Sequence, residues 1–204
     1  MLPKITLQNL LKKVLSKQSK LIVSHKNLFV DSEVVVLRYG HRTGRDDRVT
    51  THCCLVARAF GANKIIIVGK EDKEIKESVQ KVCNTWGGPF SVEFSSSWQE
   101  ELKKLKQQGF TVVHLTMYGK PIQSVIDKIR EHSKVVVIIG SRKVEIGVYK
   151  ESDYNVAITK QPHSEIAALA VFLDWYFKGK ELNKKFSGAK IILTEKDEKP
   201  KKRK

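Results

Sequence analysis

Four apolar runs constrain this chain more than any other feature. They are VVVLR (Val34 to Arg38), KIIIVG (Lys64 to Gly69), FTVVHL (Phe110 to Leu115) and KVVVIIG (Lys134 to Gly140). Each is rich in β-branched residues and lacks polar alternation, so as a strand it needs cover on both faces. Stretches of helical character separate them: Thr50 to Phe60, Glu71 to Cys83, Trp98 to Lys106, Pro121 to Glu131 and the apolar His163 to Phe177. Shorter strands are expected at Ser91 to Phe94 and Asn155 to Ile158. This alternation predicts an α/β fold, a mostly parallel sheet with helices on both faces.

Ligands of such sheets bind beyond the carboxyl ends of the strands. Four polar loops fall on that rim: Tyr39 to Arg48, Thr116 to Gly119, Ser141 to Gly147 and Thr159 to Gln161, the last three able to surround one pocket. The turn after Ile158 is the most specific of them. Pro162 suits a first helical turn, and His163, Ser164 and Glu165 set an imidazole, a hydroxyl and a carboxylate beside the free amides of a helix N-terminus. That arrangement suits a polar small molecule, and it reads equally as the cap of a buried helix. No GxGxxG follows the first strand and no GxxxxGK[ST] occurs, so neither dinucleotide nor P-loop nucleotide binding is supported. Adjacent His163, Ser164 and Glu165 do not make a hydrolytic triad, which is defined by geometry. Asp46, Asp47 and Asp153 lack a convincing ligand set, and no metal is expected.

The 204 residues carry a formal net charge of +16, concentrated at the ends. Residues 1–32 form a basic extension whose Leu7, Leu10, Leu11, Val14 and Leu15 make one apolar helical face, with a short strand at Leu21 to Val23. Residues 33–182 form the single folded domain, and 183–204 a basic tail with an edge strand at Ala189 to Thr194. Such arms fit phosphate contact, although lysine-rich ends also serve solubility. No apolar run approaches the roughly 18 residues of a membrane span. A soluble, cytoplasmic protein is expected, with Cys53, Cys54 and Cys83 reduced and buried.

The segments VVVLRYGHRTGRDDRVTTH, VVHLTMYG, VVVIIGSRKV and DYNVAITKQPHSEIAALAVFL occur in that order. Together, over Glu33 to Leu182, they resemble the archaeal tRNA cytidine-56 2′-O-methyltransferase family of the SPOUT superfamily. The resemblance implies a C-terminal trefoil knot, a homodimer, S-adenosylmethionine as methyl donor and a T-loop cytidine of tRNA as acceptor. It places the cofactor on Leu115, on Gly140, Ser141, Arg142, Lys143 and Val144, and on Ile158, Thr159, Lys160, Gln161, Pro162, His163, Ser164 and Glu165. In the related branch an arginine acts from inside the first helix. Anchoring on Phe60 and Gly61 puts Leu55 at that position. Arg48, with Arg45 second, is therefore expected to orient the acceptor and stabilise charge, since a guanidinium does not serve as a base. His52, on the same helix, and His163 are the candidate bases. Two other readings stay open: a non-catalytic RNA-binding protein on this scaffold, or the same reaction at another nucleotide.

Overall fold

The computed structural model describes residues 32–140 and 143–193. The expected helix over 5–18, the strand Leu21 to Val23, Ser141, Arg142 and residues 194–204 lie outside the described residues. Six strands form one parallel sheet: β1 (Glu33–Tyr39), β2 (Lys64–Val68), β3 (Ser91–Ser95), β4 (Thr111–Pro121), β5 (Lys134–Gly140) and β6 (Tyr154–Ala157). Their order is β3-β2-β1-β5-β4-β6, with every pairing parallel. The helices are α1 (Asp47–Ala59), α2 (Lys73–Trp86), α3 (Trp98–Gln107), α4 (Ile122–Ile129), α5 (Ile146–Glu151) and α6 (Glu165–Phe177).

Both faces of the sheet are covered, as the unbroken apolar strands require. Val34, Val36, Ile65, Ile67, Val113, Val135 and Val137 point to the side covered by α1, α2, α4 and α6. Val35, Leu37, Ile66, Val112, Val136 and Ile138 point to the side covered by α3 and by Val148 of α5. β5 is inserted between β1 and β4, which sets Tyr39 beside Gly140 at the carboxyl edge. The order reverses there, and the loops beyond β1, β4, β5 and β6 share one rim. Cys53, Cys54 and Cys83 are buried. Among the described residues no helix is long and apolar enough to cross a membrane.

Several local expectations are corrected. α1 starts at Asp47, three residues before the expected Thr50, so Arg48 lies inside its first turn and Thr50 is a buried partner of Arg38. Ile146–Glu151 forms a helix that takes in the end of the expected loop Ser141 to Gly147; six residues with Gly147 among them are too few to show a period. α6 starts at Glu165 with Ser164 as N-cap, which leaves Pro162 and His163 ahead of the helix. Residues 189–193 form no strand: the amides of Lys190 and Ile191 both donate to the Thr85 carbonyl, at 2.9 and 3.2 Å. This tail segment crosses the first half of the fold. Ser187 bridges Gly88, and Phe186 lies under the Arg58 guanidinium at 4.2 Å, while Arg58 donates to the carbonyls of Trp86 and Gly87.

Candidate active site

A cavity of about 820 Å³ opens where β4, β5 and β6 end and α6 begins. Leu115, Ile139, Ile158 and Ala168 supply its apolar surface, and three separate stretches supply its edges. The first is an excursion inside β4. Val156 pairs with both Leu115 and Lys120, so Thr116 to Gly119 are pushed out of the ladder and Thr116, Met117 and Tyr118 face the cavity. Only glycine fits at position 119, because a Cβ there would meet the backbone of Asn155 and Val156 at 2.5 Å. The expected loop Thr116 to Gly119 is thus a bulge within a longer strand.

The second stretch follows β5 and runs into α5, with Gly140, Lys143, Val144, Ile146 and Tyr149 on the cavity. Its position is fixed by polar contacts to β4 and β6. Tyr149 Oη lies 2.9 Å from Thr116 Oγ1, and Asn155 Nδ2 donates to the Tyr149 carbonyl at 3.0 Å. With its amide so oriented, Asn155 Oδ1 accepts from His114 Nδ1 at 2.9 Å. His114 therefore carries its proton on Nδ1, and burial holds its pKa below the usual imidazole value. The third stretch, Pro162 to Glu165, leads into α6, where Ser164 Oγ accepts from the Ala167 amide at 3.2 Å. The cap takes one amide of the first turn and leaves others for a ligand.

Behind Glu165 lies a residue that sequence reasoning missed. Arg38, next to last in β1, is fully buried, its Nε donating to Thr50 Oγ1 at 3.0 Å. Nη2 stands 3.4 Å from Glu165 Oε1, yet neither terminal nitrogen makes a hydrogen bond. A buried guanidinium with unused donors is costly and calls for a functional account. Its signal in the sequence was a charge closing an apolar run, and His114 inside VVHL was a second such signal.

Of the expected cofactor residues, Leu115, Gly140, Lys143, Val144, Ile158, Pro162, His163, Ser164 and Glu165 line the cavity. Thr159, Lys160 and Gln161 do not; they form an exposed turn in which the Gln161 amide donates to Thr159 Oγ1 at 3.2 Å. Arg45, Arg48 and His52 are exposed and outside the cavity lining. Arg48 and His52 are four residues apart on α1, hence on one helix face. Arg42 is committed elsewhere, forked onto Asp46 at 2.9 and 2.8 Å, and it holds that carboxyl below the usual carboxylate range.

Comparison with known proteins adds an independent line. A family model described as tRNA ribose 2′-O-methyltransferase, aTrm56, matches residues 86–203. The tRNA (cytidine(56)-2′-O)-methyltransferase of Pyrococcus abyssi is 55% identical over 165 residues, covering 78% of this chain and 82% of its own length. That of Methanopyrus kandleri is 51% identical over 162 residues, covering 79% and 91%. Among solved structures, the A. aeolicus TrmH/SpoU tRNA modifying enzyme aligns with a TM-score of 0.56 at 15% identity, over 82% of this chain and 85% of its own. The SpoU methyltransferase AviRb from Streptomyces viridochromogenes, solved with AdoMet, aligns with a TM-score of 0.55 at 16% identity, over 72% and 57%. At such identities these structures speak for the fold.

Proposed function

The chain belongs to the aTrm56 family of tRNA ribose 2′-O-methyltransferases, and from that premise we propose that it transfers a methyl group from S-adenosylmethionine to the 2′-hydroxyl of T-loop cytidine 56 in tRNA. The observation that carries this reading is the convergence of three sequence-distant stretches on one cavity of nucleoside size.

The residues present fit the cofactor. The apolar surface of Leu115, Ile139, Ile158 and Ala168 suits a purine, strand-end backbone at Gly140 its polar edges, and the Glu165 carboxylate a ribose or an amine. Bound there, the cofactor supplies an electrophilic methyl on a sulfonium. The protein's task is then to hold the acceptor oxygen in line, from which positioning alone contributes about 7–11 kcal/mol. Arg45 and Arg48, exposed on the rim segment after β1, take the RNA phosphates and fix the ribose. His52, on the Arg48 face of α1, receives the proton that leaves the 2′-oxygen. Arg38 acts through Glu165, as a positioning residue, because it is sealed from the cavity.

The same reading includes a C-terminal trefoil knot, a homodimer and a cytoplasmic setting. The insertion of β5 between β1 and β4 supports the knot, and the 80% exposed Tyr118 and 73% exposed Ile146, apolar at the cavity mouth, support assembly. The basic ends, 1–32 and 183–204, would extend the RNA contact beyond the 33–182 domain.

The test is to incubate the full chain with labelled S-adenosylmethionine and unmodified tRNA transcript, then map the product by nuclease digestion and mass spectrometry. A 2′-O-methyl at cytidine 56 is expected. A methyl at another nucleotide would change the target, and tRNA binding without cofactor binding would favour a non-catalytic role. Arg48→Ala should abolish transfer with the fold intact; full activity would remove Arg48 from the mechanism.

A further inference from the structure

Across β1 from the cavity, a second polar group is left incomplete. His41, just past β1, is buried at 5% exposure, with Nδ1 3.0 Å from Thr50 Oγ1. Its Nε2 is buried without a hydrogen-bond partner and lies 3.9 Å from Asp47 Oδ1. Asp72, buried at the N-cap of α2, completes a set whose ligand atoms all lie within 4.8 Å of one another.

The bonds already made do not exhaust these donors. The α2 cap engages Asp72 through Oδ1 alone, which accepts from the Glu74 and Ile75 amides at 2.9 and 3.2 Å. Asp47 accepts the Gly44 amide at both oxygens, 2.8 and 2.9 Å, and each oxygen keeps a further lone pair. A buried ring nitrogen close to two carboxylates and bonded to neither is the arrangement a missing cation would explain. We propose that His41 Nε2, Asp47 and Asp72 bind a divalent first-row transition-metal ion, such as zinc or manganese.

One imidazole with two carboxylates matches the ligand preference of those ions. Bonds of roughly 2.0–2.2 Å require the donors to close by about 1 Å. The partly exposed Asp47, in the first turn of α1, would make that movement by giving up one of its two contacts to the Gly44 amide. The outer contact is in place as well: metal-bound histidines donate through the other ring nitrogen, and here Nδ1 meets a Thr50 hydroxyl itself held by Arg38 Nε at 3.0 Å. The ion would pin the Arg42 to Arg48 segment against α2. Through Thr50 and Arg38 it would be linked to Glu165 on the cavity wall. The sequence hid this set. Asp46 and Asp153 are spent on Arg42 and on the Val112 amide, whereas His41 and Asp72 come from separate loops.

The test uses the full chain stripped with a chelator, dialysed against zinc or manganese(II), with bound metal counted per chain. Two variants keep the local bonds: His41→Asn, whose amide replaces Nδ1 toward Thr50, and Asp72→Asn, which still caps α2. One equivalent should bind to the parent chain, with affinity lowered about 100-fold or more in each variant while circular dichroism stays unchanged. Absence of binding to the parent at millimolar metal would overturn the proposal. So would equal binding in either variant, which would place the ion elsewhere. Neither outcome depends on methyl transfer.

Discussion

Arg38 lies near the end of a strand whose other buried residues, Val34 to Leu37, are all apolar, and its two terminal nitrogens have no hydrogen-bond acceptor. A charge kept under those terms costs stability, and residues of this kind persist where function needs them. Arg38→Met should therefore leave the thermal midpoint unchanged or raised, because Glu165 stays partly exposed when its partner goes. Methyl transfer at saturating cofactor should fall at least about tenfold, beyond any loss in cofactor affinity passed on through Glu165, the signature of a positioning residue. A loss in affinity alone would make Arg38 a cofactor-site prop instead. Glu181 poses a different problem. It is 2% exposed, and burial, with Asp174 adding, pushes its pKa up to about 7. A folded-state pKa raised above 4.5 gives stability that is complete below pH 4.5 and lost as pH rises through about 7. Glu181→Gln should then stabilise the protein at pH 8 by on the order of 2 kcal/mol, a gain that shrinks toward pH 4.5. Urea unfolding at the two pH values measures it, and an equal gain at both would refute the assignment.

At the scale of elements, the cavity depends on the interruption in β4. Gly119 lets the excursion of Thr116 to Tyr118 rejoin the strand against β6, and a methyl group there collides with backbone, which cannot step aside as a side chain can. Gly119→Ala should cost about 1–3 kcal/mol in denaturant unfolding. Cofactor affinity, followed by calorimetric titration, should drop with it; unchanged affinity would mean that the excursion does not shape the cavity. The strands were legible in sequence because two-sided burial demands unbroken β-branched runs. α5 was not, since IGVYKE is shorter than two helical turns. The start of α1 was also missed: its first turn, Asp47 to Thr50, is polar except for Val49, and its N-cap Asp46 makes no side-chain capping bond. Of the strand expected over Ala189 to Thr194, the described residues 189–193 form none, because the tail meets the end of α2.

For the whole molecule, charge and chain path act together. Residues 196–204 carry six Lys or Arg against two acids. Cations that meet phosphates release counterions, so deleting this segment should weaken tRNA binding and flatten its dependence on salt. Binding isotherms across a salt series decide it, and an identical slope would make the segment a solubility feature. The preceding residues do different work. Phe186 under Arg58 and Ser187 on Gly88 tie the end of the domain to α1 and α2, joining parts of the fold that the sheet order already brings side by side.

By itself, the sequence determined the alternating parallel architecture, because two-sided strand burial is written in local residue choice, and through the family resemblance it pointed to much of the cavity lining. Tertiary structure alone decided which buried polar groups meet. Arg38 with Glu165, and His41 with Asp47 and Asp72, become neighbours only when β1, β2, α1 and α6 pack. A contact between distant segments leaves no local period, and a guanidinium at the end of VVVL gives no sign of what it will face.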